Sequence, residues 1–152
     1  MIGLLDTNGD IDVKRTAMLI EAVYPLEVTF HRAFDRCKDP FKAMEQLIDI
    51  GCQRILTSGQ KPVAPDGIDL IGQLVSTADQ KIIVMPGSGV RKENIRELAT
   101  KTGAEEFHSS LRSKQRSKMQ FIHPAFAESA ESYTNPSIDP EEVKALRLAL
   151  NA

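Results

Sequence analysis

The sequence predicts a single domain with a parallel α/β fold. Five short runs of aliphatic and β-branched residues recur along the chain, and the first four each lead through a polar turn into a stretch with helical periodicity. A strand followed by a helix, repeated, is typical of a parallel sheet. The runs begin about 24 to 28 residues apart, close to the roughly 30 residues per unit of an eight-unit barrel. This spacing fits a closed barrel and an open doubly wound sheet equally well.

Each predicted strand is an apolar run that ends in polar or turn-forming residues. The five are Ile2–Leu5, Leu26–His31, Arg54–Thr57, Lys81–Met85 and Glu105–His108. In parallel sheets the carboxyl ends of the strands share one edge, and ligands bind at that edge. We therefore expect the functional site among the residues that follow these runs.

The helix after the second strand is predicted by its caps and by its apolar face. Asp39 can cap the first turn, Pro40 suits the first helical position, and Gly51 suits the residue after the last turn. Its apolar residues recur at helical spacing and are Phe41, Met44, Leu47 and Ile48.

Three further helices are predicted from the same signals. The first ends before Pro25, because proline disfavours helical backbone at the residue before it. The third covers residues 66–78. The fourth contains Leu98 and ends at Gly103, since glycine suits a helix C-terminus.

The chain loses its repeating pattern after the fifth strand. Residues 111–138 contain few periodic apolar positions and several prolines, which predicts a long loop. A closing helix is predicted over residues 139–150, with Asp139 as its cap, Pro140 in its first turn and Leu146 on its apolar face.

Composition and charge argue against two classes of partner. The formal net charge is −2, and Lys and Arg are scattered among Asp and Glu, so we expect no basic surface for nucleic acid or an anionic membrane. No apolar run approaches the roughly 18 residues of a membrane span, and the first residues lack the features of a signal peptide. The expectation is a cytoplasmic protein with neither nucleic acid nor membrane as a partner.

The two cysteines, Cys37 and Cys52, stand apart from each other, without a CxxC spacing or a nearby histidine. This spacing argues against a structural zinc or iron–sulfur site. The ordinary interpretation of such a cysteine is a small, partly buried side chain in a reducing compartment. Cys37 is also a candidate ligand for a soft metal, since such metals prefer thiolates.

Polar residues follow every predicted strand, and two histidines are among them. Thr29 and His31 share one face of their strand by its two-residue period. His31, Arg32 and Asp35 are candidates for acid or base chemistry, because histidine titrates near about pH 6.5 and its neighbours can shift that value. His108, after the fifth strand, is a second candidate for proton transfer. The alternative is a hydrogen-bonded structural histidine.

The Gly87-Ser88-Gly89 segment lies between the fourth strand and the fourth helix. Glycine allows a tight turn that leaves amide groups pointing at a ligand, and this geometry suits an anion. Further candidate anion-binding residues stand at neighbouring strand ends, and these are Thr57, Ser58, Ser109 and Ser110. The alternative is a turn without a ligand, because short glycine motifs are common in turns.

Four motifs occur in order along the chain: VTFHRAFD, RILTSGQ, PGSGVRKENI and EFHSS. In this order and at this spacing they resemble the CutC copper-homeostasis family, over about residues Ile2 to Ser110. The resemblance implies a TIM (β/α)₈ barrel, a cytoplasmic location and assembly as a homo-oligomer. It also implies that the five predicted strands correspond to strands four to eight of the family barrel. We therefore expect a partial barrel of about five βα units that lacks the first three, in one domain over residues 1–152.

Three functions remain open at this point. The resemblance implies a copper-homeostasis protein, with copper as a candidate ligand of Cys37 and with no established catalytic activity. The polar strand ends favour instead an enzyme that acts on a small anionic metabolite, either phosphorylated or carboxylated. The absence of three units raises a third option, a fragment with no activity of its own. Such a fragment would expose the edges of its sheet, and exposed edges associate readily.

Overall fold

The structure is a computed structural model and describes residues 1–127 and 133–151. Helices and strands alternate through most of the chain, as predicted. In chain order the elements are α1 (Val13–Val23), β1 (Thr29–Phe30), α2 (Pro40–Asp49), β2 (Arg54–Thr57), α3 (Ile68–Ala78), β3 (Ile83–Pro86), α4 (Ile95–Thr102), β4 (Arg112–Arg116), β5 (Thr134–Ile138) and α5 (Pro140–Asn151). Short 3₁₀ helices lie at Arg32–Arg36, Ala64–Gly67 and Pro124–Phe126.

Strands β1, β2 and β3 form a parallel sheet in that order, which confirms the predicted mixed α/β class. Single bridges extend the sheet on both sides. Ile2 pairs with Phe30 beside β1, and Gly87 pairs with His108 beside β3. The sheet therefore brings the ends of all five predicted strands to one edge.

The two outermost predicted strands, Ile2–Leu5 and Glu105–His108, are shorter than expected. Each keeps one parallel bridge to the sheet and lies where the sequence placed it, and Leu5 forms a further antiparallel bridge with Ile11. Both segments stand at the edges of the described parallel sheet, where each pairs with a sheet strand on one side only. A segment paired on one side has fewer hydrogen bonds to hold it in a regular ladder than a central strand has.

The main core lies between one face of the sheet and the helices. Phe30, Ile55 and Val84 are in register on neighbouring strands, and each is at most 4% exposed. The helices contribute fully buried side chains from their predicted apolar faces, and these are Met44, Leu47, Ile71, Leu74, Ile95 and Leu98. Burial of these side chains supplies the main force that holds the helices on the sheet.

The predicted cap of α2 is confirmed. The Asp39 carboxylate accepts hydrogen bonds from the backbone amides of Phe41 (3.0 Å) and Lys42 (3.1 Å). These are two of the amides that have no partner within the helix. Helix α4 ends at Gly103, also as predicted.

The opposite face of the sheet carries Thr29, Arg54, Leu56, Ile83 and Met85, by the two-residue period of the strands. Leu56 is buried, whereas the other four are only partly buried. This face is therefore much less covered than the face that packs against the helices.

Arg54 forms ion pairs across this second face. Its Nε lies 2.7 Å from Glu106 Oε2, and its Nη1 also binds the carboxylate of Glu27. The hydrogen bonds to Glu106 and Glu27 raise the pKa of Arg54 above its ordinary value. The guanidinium stays charged and links the ends of three segments of the sheet.

Residues 111–138, predicted as a long loop, contain the antiparallel strands β4 and β5. Part of the predicted loop, residues 128–132, lies outside the described residues. Every residue of β4 is exposed, and its sequence RSKQR has no alternation of apolar and polar positions. The strand gives no periodic sequence signal because neither of its faces is buried.

Helix α5 confirms the predicted closing helix. Asp139 accepts a hydrogen bond from the amide of Glu141 (2.9 Å) and so caps the first turn. Leu146 and Leu150 pack against the core, and Lys92 forms an ion pair with Glu142 (2.8 Å). In the described residues, no helix combines the length and the apolar character that a membrane crossing requires.

Leu47→Ala should lower the free energy of unfolding by about 2 to 5 kcal/mol, because truncation of a buried leucine leaves a cavity. Leu47 is 0% exposed. The control Leu148→Ala removes the same atoms from a side chain that is 71% exposed, and should cost less than about 0.5 kcal/mol. Urea unfolding monitored by circular dichroism measures both. Equal losses in the two variants would contradict the described core.

Candidate functional site

Three loops meet at the carboxyl edge of the sheet. They are residues 31–36 after β1, residues 57–62 after β2 and residues 87–91 after β3. Hydrogen bonds donated by side chains connect each loop to the next. This edge is the place where parallel α/β proteins bind ligands.

Arg32 connects the first loop to the second. Its Nε donates to Asp35 Oδ2 (2.8 Å), and its Nη2 donates to Ser58 Oγ (2.7 Å). The same Nη2 approaches the carbonyl oxygens of Lys61 (3.2 Å) and Pro62 (3.4 Å). The guanidinium is therefore held in one orientation although the side chain is 40% exposed. Within residues 1–127 and 133–151, its Nη1 donates to no protein acceptor.

The Asp35 carboxylate organises the second loop. Its Oδ1 accepts hydrogen bonds from the Thr57 hydroxyl (2.5 Å) and from the amides of Ser58 (2.9 Å) and Gln60 (3.2 Å). The Ser58 hydroxyl lies 2.9 Å from Oδ2, which also binds Arg32. A carboxylate that is only 7% exposed needs such donors, because an unpaired buried charge is costly.

His31 caps the 3₁₀ helix that follows β1. Its Nδ1 accepts a hydrogen bond from the backbone amide of Ala33 (3.0 Å), so the proton of the neutral ring is assigned to Nε2. The imidazole lies against the main chain of Gly3, where a β-carbon would stand 2.2 Å from His31 Cε1. The observed ring position therefore requires glycine at position 3.

The loop after β3 has left-handed backbone at two successive residues, Ser88 (φ 76°) and Gly89 (φ 73°). A β-carbon at Gly89 would also approach Val63 to 3.0 Å. The Ser88 hydroxyl donates to the carbonyl of Pro62 (3.0 Å) and ties this loop to the loop after β2. This contact helps to hold serine in a conformation that L-residues rarely adopt.

Asn94 holds the other end of this loop. Its amide nitrogen donates to the carbonyl of Gly89 (2.9 Å), and its Oδ1 accepts from the amide of Arg91 (2.9 Å). In the described part of the chain, the amides of Ser88 and Gly89 donate to no protein acceptor. The loop is thus fixed by its neighbours while two of its own donors stay available.

Arg91 connects the glycine loop to the segment after His108. Its Nη1 lies 3.3 Å from the Val90 carbonyl and 3.1 Å from Ser109 Oγ. Ser109 in turn donates to the Val90 carbonyl (2.7 Å). No carboxylate in residues 1–127 and 133–151 forms an ion pair with Arg91. Its positive charge is therefore not neutralised by the described protein.

Two neighbouring cavities open at this edge. The smaller, of about 200 Å³, is lined by Arg32, Leu56, Ser88, Gly89, Arg91, His108, Ser109 and Ser110. The larger, of about 490 Å³, is lined by His31, Arg32, Ala33, Asp35, Arg36 and Leu56. Arg32 and Leu56 line both cavities. We call them the arginine cavity and the histidine cavity.

Most of the predicted site residues come together here. Ser88, Gly89, His108, Ser109 and Ser110 line the arginine cavity. Gly87 stands beside it, paired with His108. The hydroxyls of Ser88 and Ser109 already donate to main-chain carbonyls. In this arrangement neither hydroxyl proton is available to an anion.

Thr57 and Ser58, two of the predicted anion-binding residues, line neither cavity. Both are 0% exposed, and their hydroxyls contact Asp35. Asp35, a predicted catalytic residue, accepts hydrogen bonds from its own loops and from Arg32. This many donors suit a carboxylate that positions the loops, and catalysis by Asp35 stays a prediction.

Cys37, the candidate metal ligand, is buried and 5% exposed. Burial raises the pKa of its thiol to about 11, so the sulfur is protonated at neutral pH. Burial also raises the pKa of the Cys52 thiol. In the described part of the chain, no group of three or more His, Cys, Asp or Glu side chains is arranged to hold a metal ion.

Sequence reasoning missed Arg91, Leu56, Asn94 and Gly3. Arg91 and Asn94 belong to the PGSGVRKENI motif, which was interpreted through its glycines alone. A positive residue directly after a glycine loop could have been considered as an anion ligand. Gly3 gave no signal, because its role depends on a contact with a residue of another strand.

Comparisons with known proteins all identify the same family. The model of the CutC family matches residues 1–113. A protein of Parabacteroides distasonis named family protein CutC is 57% identical over 121 residues, which cover 80% of this chain and 50% of that protein. A protein of Chromobacterium violaceum with the same name is 41% identical over 154 residues, or 99% of this chain and 62% of that protein.

A solved structure that is similar to this chain carries the same family name as these relatives. It is described as the putative copper homeostasis protein CutC from Streptococcus agalactiae and is 34% identical to this chain, with a TM-score of 0.66. The match covers 70% of this chain and 52% of that structure. The chain spans about half the length of the curated relatives it matches.

Asp35→Asn should lower the free energy of unfolding by about 1 to 3 kcal/mol, because the neutral amide leaves Arg32 and several buried donors poorly paired. Asp49→Asn is the control, since Asp49 is exposed at the end of α2. That change should cost no more than about 0.5 kcal/mol. Urea unfolding of both variants checks the expectation, and a neutral effect of Asp35→Asn would show that the carboxylate does not organise the loops.

Stability should fall as the pH rises from 9.0 to about 11, because burial raises the pKa of Cys37 over this interval. In this window the unfolded chain has released the thiol proton while the folded chain keeps it, and ionisation therefore favours unfolding. Cys37→Ala should reduce the loss by up to about 2 kcal/mol. Urea unfolding at several pH values compares the two slopes. Identical slopes would contradict a protonated, buried thiol.

Proposed function

The chain belongs to the CutC family, and on this premise we propose that it forms part of a copper-homeostasis protein that binds a small anion at the carboxyl edge of its sheet. One observation carries the proposal. Arg32, Arg91 and the two available amides of Ser88 and Gly89 all belong to residues that line one cavity of about 200 Å³. Guanidinium groups and free amides are the donors that proteins use for phosphate and carboxylate groups.

The balance of charge at the arginine cavity supports an anionic ligand. Asp35 neutralises Arg32, whereas Arg91 has no carboxylate partner among the described residues. Among the described residues, no Asp or Glu lines this cavity. An anion would therefore supply the charge that the described protein does not provide, in a partly enclosed site where such pairing is stronger than in bulk water.

An enzymatic reaction on the bound anion is the second candidate. His108 lines the arginine cavity and His31 lines its neighbour. Either imidazole could exchange a proton with a ligand held by the two arginines. Binding alone and binding followed by proton transfer both place the anion at the same donors, so the binding experiment below applies to both candidates.

Direct binding of copper by the two thiols does not fit their surroundings. Cu(I) prefers thiolate and thioether ligands, but Cys37 and Cys52 are buried and burial raises the pKa of both thiols. We therefore assign no copper to these residues. The role in copper homeostasis is proposed from family membership and from the name of the solved relative.

We further propose that the chain is a partial (β/α)₈ barrel, equivalent to strands four to eight of the family fold. The parallel order of β1 to β3 and the partly exposed second face of the sheet support this assignment. The chain covers about half of its relatives, which is also consistent with a partial barrel. A cytoplasmic location and assembly into homo-oligomers are proposed from the resemblance alone.

Arg91→Gln should weaken the binding of inorganic phosphate at least about tenfold, because a charged donor to the anion is lost. Arg96→Gln is the matched control, since Arg96 is exposed on α4 and does not line the cavity. Isothermal titration calorimetry at low ionic strength measures both variants. Equal weakening in the two variants would indicate a general charge effect and would contradict the assigned site.

The chain of residues 1–152 should self-associate, because the second face of its sheet is incompletely covered. Light scattering and a thermal melt test this expectation. The comparison is a fusion that adds three βα units of the Parabacteroides relative before Met1 and should cover the face. A monomeric chain with a cooperative melt, unchanged by the fusion, would contradict the partial barrel.

A further inference from the structure

The arginine cavity and the histidine cavity adjoin each other across two shared residues. Leu56 is 5% exposed and lines both cavities. Arg32 lines both as well, and its contacts with Asp35 and Ser58 hold it in place. A ligand that fills the smaller cavity can therefore extend over Leu56 into the larger one. Together the two volumes fall within the roughly 300 to 1,000 Å³ that small-molecule sites occupy.

The available donors at the arginine cavity suit a phosphate group. They are the amides of Ser88 and Gly89, the nitrogens of Arg32 and Arg91 that donate to no acceptor in the described residues, and the hydroxyl of Ser110. A phosphate has three terminal oxygens and accepts more hydrogen bonds than a carboxylate does. The cavity holds about 200 Å³ and adjoins the histidine cavity, so the rest of a phosphorylated molecule can extend into that neighbour.

The histidine cavity suits a neutral, polar group. The charge of its carboxylate, Asp35, is already matched by Arg32, and the charge of Arg36, which also lines the cavity, is exposed to solvent. Leu56 and Ala33 supply apolar surface. His31 supplies a donor, because Nδ1 is occupied by the amide of Ala33 and the proton of the neutral ring is assigned to Nε2. A hydroxyl or carbonyl oxygen is the matching acceptor.

Gly3 acts as a positioning residue for this donor. The His31 ring occupies the space that a side chain at position 3 would need, with Cε1, Nδ1 and Nε2 within 2.8 Å of the place of its β-carbon. Any larger residue at position 3 must move the ring. The position of the Nε2 donor therefore depends on the glycine at position 3.

We propose, on the basis of the anion-binding function above, that the ligand is a small phosphate ester that binds in two parts. Its phosphate group binds in the arginine cavity. Its neutral body lies over Leu56 in the histidine cavity and accepts a hydrogen bond from His31 Nε2. His31 thus selects among phosphorylated compounds by the oxygen that they present beside the phosphate.

The test compares two probes, inorganic phosphate and glycerol phosphate, by calorimetry with the full chain. Glycerol phosphate should bind at least about tenfold more tightly, since it adds contacts to His31 and Leu56. His31→Asn should bring the two affinities together and leave that for inorganic phosphate unchanged, because asparagine can still cap the 3₁₀ helix. Gly3→Ala should do the same by displacing the ring, and circular dichroism checks that both variants are folded.

Three results would overturn the proposal. Equal affinities of the two probes for the unchanged chain would exclude a two-part ligand and leave the anion site standing. Equal weakening of both probes by His31→Asn would assign His31 to the phosphate and not to the body of the ligand. Failure of both probes to bind would remove the proposed anion-binding function together with the inference that depends on it.

Discussion

The buried carboxylate of Asp35 is the constraint on which the candidate site depends. A charge that is 7% exposed has to be met by donors, and the protein meets it with Arg32, the Thr57 hydroxyl and the amides of the loop after β2. This arrangement fixes two loops at once. It also orients the Arg32 guanidinium, whose Nη1 donates to no acceptor in the described residues and is available to an anion ligand.

Much of the fold follows from short-range patterns in the sequence. Asp39 and the apolar residues of α2 predict that helix because its cap and its buried face are both local features. The strands β4 and β5 were not predicted, since they bury neither face and their pairing joins residues that are far apart in the chain. The edge segments at Ile2 and His108 were placed correctly but predicted too long, because pattern alone does not reveal which strand is central.

The sequence predicted the position of the candidate site better than it predicted the roles of the individual residues. Polar residues at strand ends identified His31, Arg32 and the glycine loop, since parallel strands bring such residues to one edge. Thr57 and Ser58 are predicted from the sequence to bind an anion and Asp35 to take part in acid or base chemistry, whereas the structure shows that both hydroxyls bind Asp35. The same residue types bind ligands in some proteins and position loops in others. Only the three-dimensional contacts distinguish these two roles. Arg91 and Gly3 matter through contacts with other loops, which no local pattern expresses.

The central claim is that the glycine loop and its two arginines bind an anion. A titration of isotope-labelled protein with phosphate, monitored through the amide resonances of Ser88 and Gly89, tests it most directly because these two amides donate to no acceptor in the described protein. We expect saturable shifts of both resonances, the largest in the chain, and we expect these shifts to disappear at high salt. If these two resonances do not shift, or if the shifts are spread over exposed lysines, anion binding at the glycine loop is contradicted.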